Sequence, residues 1–196
     1  MFLALVLAAG CNSSTKLSPL PEDAVILAFG DSLTYGTGTH SREESYPAVL
    51  STLIGRKVIN AGVPGEETSE GLQRLVSELD AHRPALMILC HGGNDILRKR
   101  DRKTTVENLQ AIIRMARERN VEVVLVGVPA FGLFLSTATF YGEVAEAFNL
   151  PFEGEILSNI IANSTLKSDM IHPNAEGYRR FAKAIAELLQ REGAVQ

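Results

Sequence analysis

Short apolar runs alternate along this chain with longer segments in which apolar residues return every three to four positions, and that alternation constrains the fold more than any other feature. The runs are 24–29 (AVILAF), 57–60 (KVIN), 85–90 (ALMILC), 121–128 (VEVVLVGV) and, weakly, about 150–157. They read as strands buried on both faces. Between them, 43–54 places Tyr46, Val49, Leu50, Leu53 and Ile54 at helical spacing, and 67–81 does the same with Leu72, Leu75, Val76 and Leu79. Residues 104–119 form a third helix, with Thr104 or Thr105 as its expected N-cap, and 138–148 a shorter one. The last helix opens after Pro173, carries Tyr178, Phe181, Ile185, Leu188 and Leu189 on one face, and stops at Gly193. Buried strands alternating with helices predict an α/β fold: a parallel sheet with helices on each side, joined by right-handed crossovers.

The chain has 196 residues, 45% hydrophobic and 21% charged, enough for one substantial core. A net charge of -4 argues against nucleic acid or an anionic membrane surface as a partner. The dense basic run Arg98–Lys103 reads as a solvated loop or helix start. Cys90 lies inside an apolar run and reads as a small buried hydrophobe.

Residues 1–10, MFLALVLAAG, are almost wholly apolar and end in small residues before Cys11; the NSSTKLSPLPED that follows is polar. This is the layout of a secretory apolar region and a tether, and it is too short to span a bilayer as a stable helix. The stretch LAAGC resembles the lipobox of bacterial lipoproteins, which implies a lipid on Cys11. It departs from that pattern in having no Lys or Arg before the apolar run and Ala8 where Leu is usual, and a charged region is expected upstream of Met1. The expected organisation is a signal segment over 1–11, a polar linker over 12–22 and one domain over 23–196. The expected location is periplasmic or membrane-anchored, with the lipid as the sole membrane contact. An export signal without lipid and an apolar first strand are the other readings.

In open α/β sheets, chemistry sits just beyond the carboxyl ends of the strands. Those ends read Gly30-Asp31-Ser32-Leu33, Asn60-Ala61-Gly62-Val63-Pro64-Gly65-Glu66, His91-Gly92-Gly93-Asn94-Asp95 and Gly127-Val128-Pro129, and Ser168-Asp169-Met170-Ile171-His172-Pro173 precedes the last helix. A serine hydroxyl becomes a useful nucleophile when a neutral imidazole takes its proton and a carboxylate holds that imidazole. Ser32, His172 and Asp169 are the residue types for this. The oxyanion of the resulting intermediate needs preorganised donors, which the Ser32 N–H, the Gly65 N–H and the Asn94 amide can supply. Each piece alone is an ordinary turn or cap; their joint occurrence at successive strand ends is what points to acyl transfer.

The blocks GDSLT at 30–34, NAGVPGEETSEGL at 60–72, GGNDIL at 92–97 and DMIHPNAEGY at 169–178 resemble the four sequence blocks of the GDSL, or SGNH, hydrolases. Within them the chain is most similar to the thioesterase I, lysophospholipase L1 and arylesterase branch. The resemblance implies a three-layer α/β/α, flavodoxin-like, five-stranded parallel sheet and ester hydrolysis without a cofactor. It implies Ser32 as nucleophile and oxyanion donor, Gly65 and Asn94 as further oxyanion donors with Gly62 as the alternative glycine, and Asp169 with His172 as the base. Thr34, two residues after Ser32, excludes the Gly-x-Ser-x-Gly elbow of α/β-hydrolases, and a shallower, more adaptable site is expected. Expected substrates are small-molecule carboxylic esters, thioesters or lysophospholipids, in a monomer or weak homo-oligomer. A carbohydrate O-acetylesterase and a non-catalytic envelope-binding lipoprotein are the alternatives.

Other polar residues have lesser expected roles. His40 and His82 read as solvent-facing, His91 could border the pocket, and Asp31 and Asp95 read as loop braces. No cluster has metal-ligand spacing, and neither GxGxxG nor a Walker loop occurs. The apolar stretch 129–142, PAFGLFLSTATFYG, is either a wall or lid for an acyl chain or a buried loop and helix start.

Overall fold

The computed structural model describes residues 17–130 and 135–196. The Cys11 segment and part of the 129–142 stretch lie outside these residues. In chain order the elements are β1 (Val25–Gly30), α1 (Ser32–Tyr35), α2 (Tyr46–Ile54), β2 (Lys57–Gly62), α3 (Thr68–His82), β3 (Leu86–Cys90), α4 (Gly93–Leu97), α5 (Arg102–Arg117) and β4 (Glu122–Val126). There follow β5 (Pro129–Ala130), β6 (Ser136–Thr137), α6 (Thr139–Ala147), β7 (Phe152–Glu153), α7 (Ile156–Ala162) and α8 (Ala175–Arg191). A five-stranded sheet runs in the order β2-β1-β3-β4-β7 with every pairing parallel. Helices α2 and α8 pack together on one face, and α3 and α5 on the other. The central strand β3 is buried at every residue, as its unbroken apolar run requires.

Several local expectations change. The weak strand at about 150–157 shrinks to the edge pair Phe152–Glu153, and α7 begins at Ile156, within its last two residues. The fourth run pairs only over Glu122–Val126, and Pro129–Ala130 leaves the main sheet to pair antiparallel with Ser136–Thr137. Helix α5 starts two residues before the expected threonine caps: Asp101 is the N-cap and accepts the Thr104 N–H at 2.9 Å. An aspartate supplies the same oxygen as a threonine and adds favourable charge at the helix N-terminus. Within the 12–22 segment, two residues pack on the domain. Leu17 and Leu20 are buried, and their N–H groups donate to the Glu192 and Ala194 carbonyls at 3.0 and 2.8 Å.

The strand order positions the site. The chain passes from β1 outward to β2 and then returns to the other side of β1 for β3, so the connections diverge between β1 and β3. A crevice opens at such a switch point. Gly30 is paired there with Cys90, and a Cβ on it would lie 1.9 Å from the Cys90 carbonyl oxygen. Only a residue without a side chain lets β1 and β3 close at this level and release Ser32 just above them.

Candidate active site

Ser32 is the first residue of α1, immediately beyond β1. Asp31 caps that helix, its buried Oδ1 accepting the Leu33 N–H at 3.0 Å. The backbone at Ser32 is not left-handed; among the described residues the non-glycine positions with positive φ are Arg83, Lys99, Asn120 and Asn149. The serine therefore sits on a helix start rather than on a strained elbow, as expected from Thr34.

His172 Nε2 lies 3.0 Å from Ser32 Oγ, and His172 Nδ1 lies 2.7 Å from Asp169 Oδ2. A carboxylate can only accept, so Nδ1 carries the proton and Nε2 is free to accept from the serine hydroxyl. The loop that holds this pair is built by the same aspartate: Asp169 Oδ1 accepts the N–H groups of Ile171 and His172, each at 2.8 Å. Partial burial would push the Asp169 carboxyl up, but the bonds from the His172 imidazole and from these two backbone amides outweigh it and hold it below its ordinary 3.8. Asn174 then caps α8 by accepting the Gly177 N–H at 3.0 Å, and the Tyr178 hydroxyl on that helix donates to the Thr37 carbonyl at 2.9 Å. The last helix is thereby tied to the segment that follows Ser32.

On the opposite side of Ser32, Asn94 lies in the first turn of α4 after β3. Its Nδ2 donates to the Glu66 carbonyl at 2.9 Å and, more loosely, to Asp31 Oδ2 at 3.3 Å. The amide is thereby held facing the Ser32 side of the cleft mouth. The two candidate glycines, Gly62 and Gly65, differ in their surroundings. The Gly62 N–H already donates to Asn60 Oδ1 at 3.0 Å, and a Cβ there would lie 2.1 Å from the Tyr35 nitrogen. Gly62 is thus a packing glycine beneath α1. Gly65 has a left-handed φ of 80° and stands one residue before the carbonyl that holds Asn94. Its N–H has no acceptor among the described residues.

A narrow cleft joins Ser32, Asn94 and His172 to an apolar wall of Leu97, Val128, Pro129, Leu157, Ile161 and Ile171. Start and end of the 129–142 stretch behave differently: Pro129 lines this cleft, whereas Phe140 and Tyr141 are buried and the Tyr141 hydroxyl donates to the His91 carbonyl at 2.7 Å. Asp95 is a brace as expected, accepting the Thr68 N–H at 2.9 Å and its hydroxyl at 2.6 Å. His91 does not border the cleft. It is fully buried behind it and faces Glu66, with Arg74 on the far side of the carboxylate. Glu66 and Arg74 were not singled out from the sequence. The available signal was a histidine directly after an all-apolar strand, which by itself does not say what it faces.

Asp31 carries a pH prediction. Burial pushes its carboxyl up, outweighing the lowering by nearby His91, the Leu33 N–H and His172. An acid whose folded value is raised binds more protons folded than unfolded, so its contribution to stability falls as pH rises above 3.8, by at most about 1.4 kcal/mol per pH unit. Asp31→Asn keeps the cap through its Oδ1 and is expected to remove that slope in urea unfolding measured across pH, while its NH₂ then faces the Asn94 NH₂, donor against donor. Turnover should drop, because that contact pushes the Asn94 amide from its present position.

The sequence signature of the GDSL-like lipase/acylhydrolase family spans residues 28–180. The chain is 30% identical over 173 residues to the thioesterase 1/protease 1/lysophospholipase L1 of Escherichia coli, covering 84% of this chain and 83% of that protein. It is 28% identical over 200 residues to an arylesterase of Vibrio mimicus, covering 96% and 95%. Among solved structures, the SGNH-hydrolase family esterase AlinE4 superposes with a TM-score of 0.69 at 33% identity, covering 88% of this chain and 97% of that one. The chain belongs to the GDSL-like lipase/acylhydrolase family. It is a carboxylic ester hydrolase.

Proposed function

We propose that the chain is a serine esterase that cleaves acyl and aryl esters through an acyl-enzyme on Ser32. The observation that carries this reading is the continuous set of contacts from Asp169 through His172 to Ser32, 2.7 and then 3.0 Å. Ser32 Oγ attacks the carbonyl carbon as its proton passes to His172 Nε2. Asp169 stabilises the imidazolium, and Ser32 N–H, Gly65 N–H and Asn94 Nδ2 receive the oxyanion. The imidazolium protonates the leaving alkoxide, phenolate or thiolate. Water, deprotonated by the same imidazole, then releases the carboxylic acid and regenerates the hydroxyl.

The apolar wall favours acyl chains longer than acetyl and argues against the glycan O-acetylesterase reading. Each methylene buried there is worth up to about 0.8 kcal/mol, or about fourfold in kcat/KM. Across p-nitrophenyl esters, kcat/KM should climb from acetate until the cleft is full; flat rates beside fast acetate release from acetylated glycan would select the alternative. A fluorophosphonate probe should modify Ser32, and no adduct there would overturn the serine mechanism. Asn94→Ala should lower kcat by about 10²–10³-fold with little change in KM.

The chain LAAGC supports export and a lipid on Cys11. Incorporation of labelled palmitate into the full chain, lost in Cys11→Ala, tests it.

A further inference from the structure

We propose that Arg74, Glu66 and His91 form a positioning network that sets the separation of the two oxyanion donors flanking Ser32; the inference rests on the reading of Ser32 as nucleophile. None of the three lines the cleft. Each is nevertheless attached to a strand end that carries a site residue.

The Arg74 guanidinium donates from Nη2 to the Gly30 carbonyl at 3.2 Å and to the Ala61 carbonyl at 2.8 Å. These are the ends of β1 and β2, which lead into Ser32 and Gly65. The same guanidinium grips the Glu66 carboxylate from Nε and Nη2, at 2.5 and 2.7 Å, and lies over the Phe29 ring at 4.1 Å. Glu66 Oε2 in turn faces His91 Nε2 at 3.0 Å. Because the Gly92 N–H donates to His91 Nδ1 at 2.9 Å, Nδ1 is the acceptor and Nε2–H the donor to Glu66. His91 is the residue that follows β3, three before Asn94.

One guanidinium and one carboxylate thus bind the carboxyl ends of three adjacent strands. The backbone of Glu66 completes the device: its carbonyl accepts Asn94 Nδ2, and it is the neighbour of Gly65. Both distances that matter to the oxyanion are set through this one residue. Helix α3 is shaped for the same contact, since a Cβ on Gly71 would lie 2.4 Å from His91 Nε2. A network of charged and neutral donors that is fully paired in a buried setting holds its members rigidly.

Three volume-conserving or minimal variants test this: Glu66→Gln, Arg74→Lys and Gly71→Ala. Glu66→Gln turns one acceptor into a donor facing a donor. Arg74→Lys keeps the charge but loses the planar fork that serves carboxylate and carbonyls together. Gly71→Ala displaces His91 without altering any charge. Active sites are first titrated to completion with a fluorophosphonate, so that unfolded protein does not enter kcat. The expected result is a fall in kcat per titrated site of about tenfold to a hundredfold with KM within about threefold, as for a misplacement near 1 Å. Affinity for a boronic acid, whose tetrahedral adduct uses the same donors, should fall in proportion to kcat. Unchanged kcat per titrated site with only a lower melting temperature would show a structural role and overturn the proposal, as would an effect confined to KM. Retained turnover in Ser32→Ala overturns the site reading itself, whatever the Glu66 variant does.

Discussion

Ser32→Ala is expected to lower kcat on a p-nitrophenyl ester by about 10⁴–10⁶-fold, with unfolding free energy changed by no more than about 0.5 kcal/mol. The two halves of this expectation have separate causes. The hydroxyl makes the attacking bond, so its removal leaves only the binding and oxyanion contributions. Its side-chain contact with the described residues is the one to His172 Nε2, and alanine is a good helix former at the start of α1. The decisive measurement combines turnover with a urea unfolding curve on the same preparation. Turnover within tenfold of the parent protein would remove Ser32 as nucleophile; a large loss of stability would mean that the helix start itself had been disturbed.

Asp169→Asn is expected to cost kcat about 10³–10⁴-fold while leaving the loop folded. Asn Oδ1 can still accept the Ile171 and His172 N–H groups that shape the turn. Its NH₂, however, faces His172 Nδ1, which must then become the acceptor, so the proton moves to Nε2. In that tautomer the imidazole cannot take the serine proton. The Asp169 side chain is about half exposed, so water screens part of the lost interaction and the effect should fall short of that in a fully buried triad. Fluorophosphonate labelling should slow in parallel with kcat. The depressed Asp169 value adds a stability signature with a definite sign. A carboxyl lowered on folding contributes stability above its ordinary 3.8 that disappears as pH falls below it, so the variant should lose less stability than the parent between about pH 4 and 2.

Much of this was readable from particular residues. The all-apolar ALMILC run could only be a strand covered on both sides, and the helical spacing from Tyr178 to Leu189 could only be a helix packed on one face. Errors clustered where local rules have little to work with. Two strand residues at Phe152–Glu153 owe their pairing to β4 and not to any pattern of their own. The N-cap moved from Thr104 to Asp101 because both residue types cap well and only the approach of the chain chooses between them. Leu17 and Leu20 sat in a polar context and are buried because the C-terminal residues Glu192 and Ala194 offer carbonyls to that backbone.

The candidate site divides in the same way. Sequence by itself determined the residue types and their order at the sheet edge, because strand periodicity and the order of Ser32, Gly65, Asn94 and the Asp169/His172 pair are local properties of the chain. Only the tertiary structure distinguished the surroundings of Gly62 and Gly65: the Gly62 N–H is bonded to Asn60 Oδ1 and packed under α1, and the Gly65 N–H has no acceptor among the described residues. Only it joined Glu66, Arg74 and His91, which come from three separate elements. Their partners are selected by distance across the sheet edge, and distance between remote residues is not written in any local pattern.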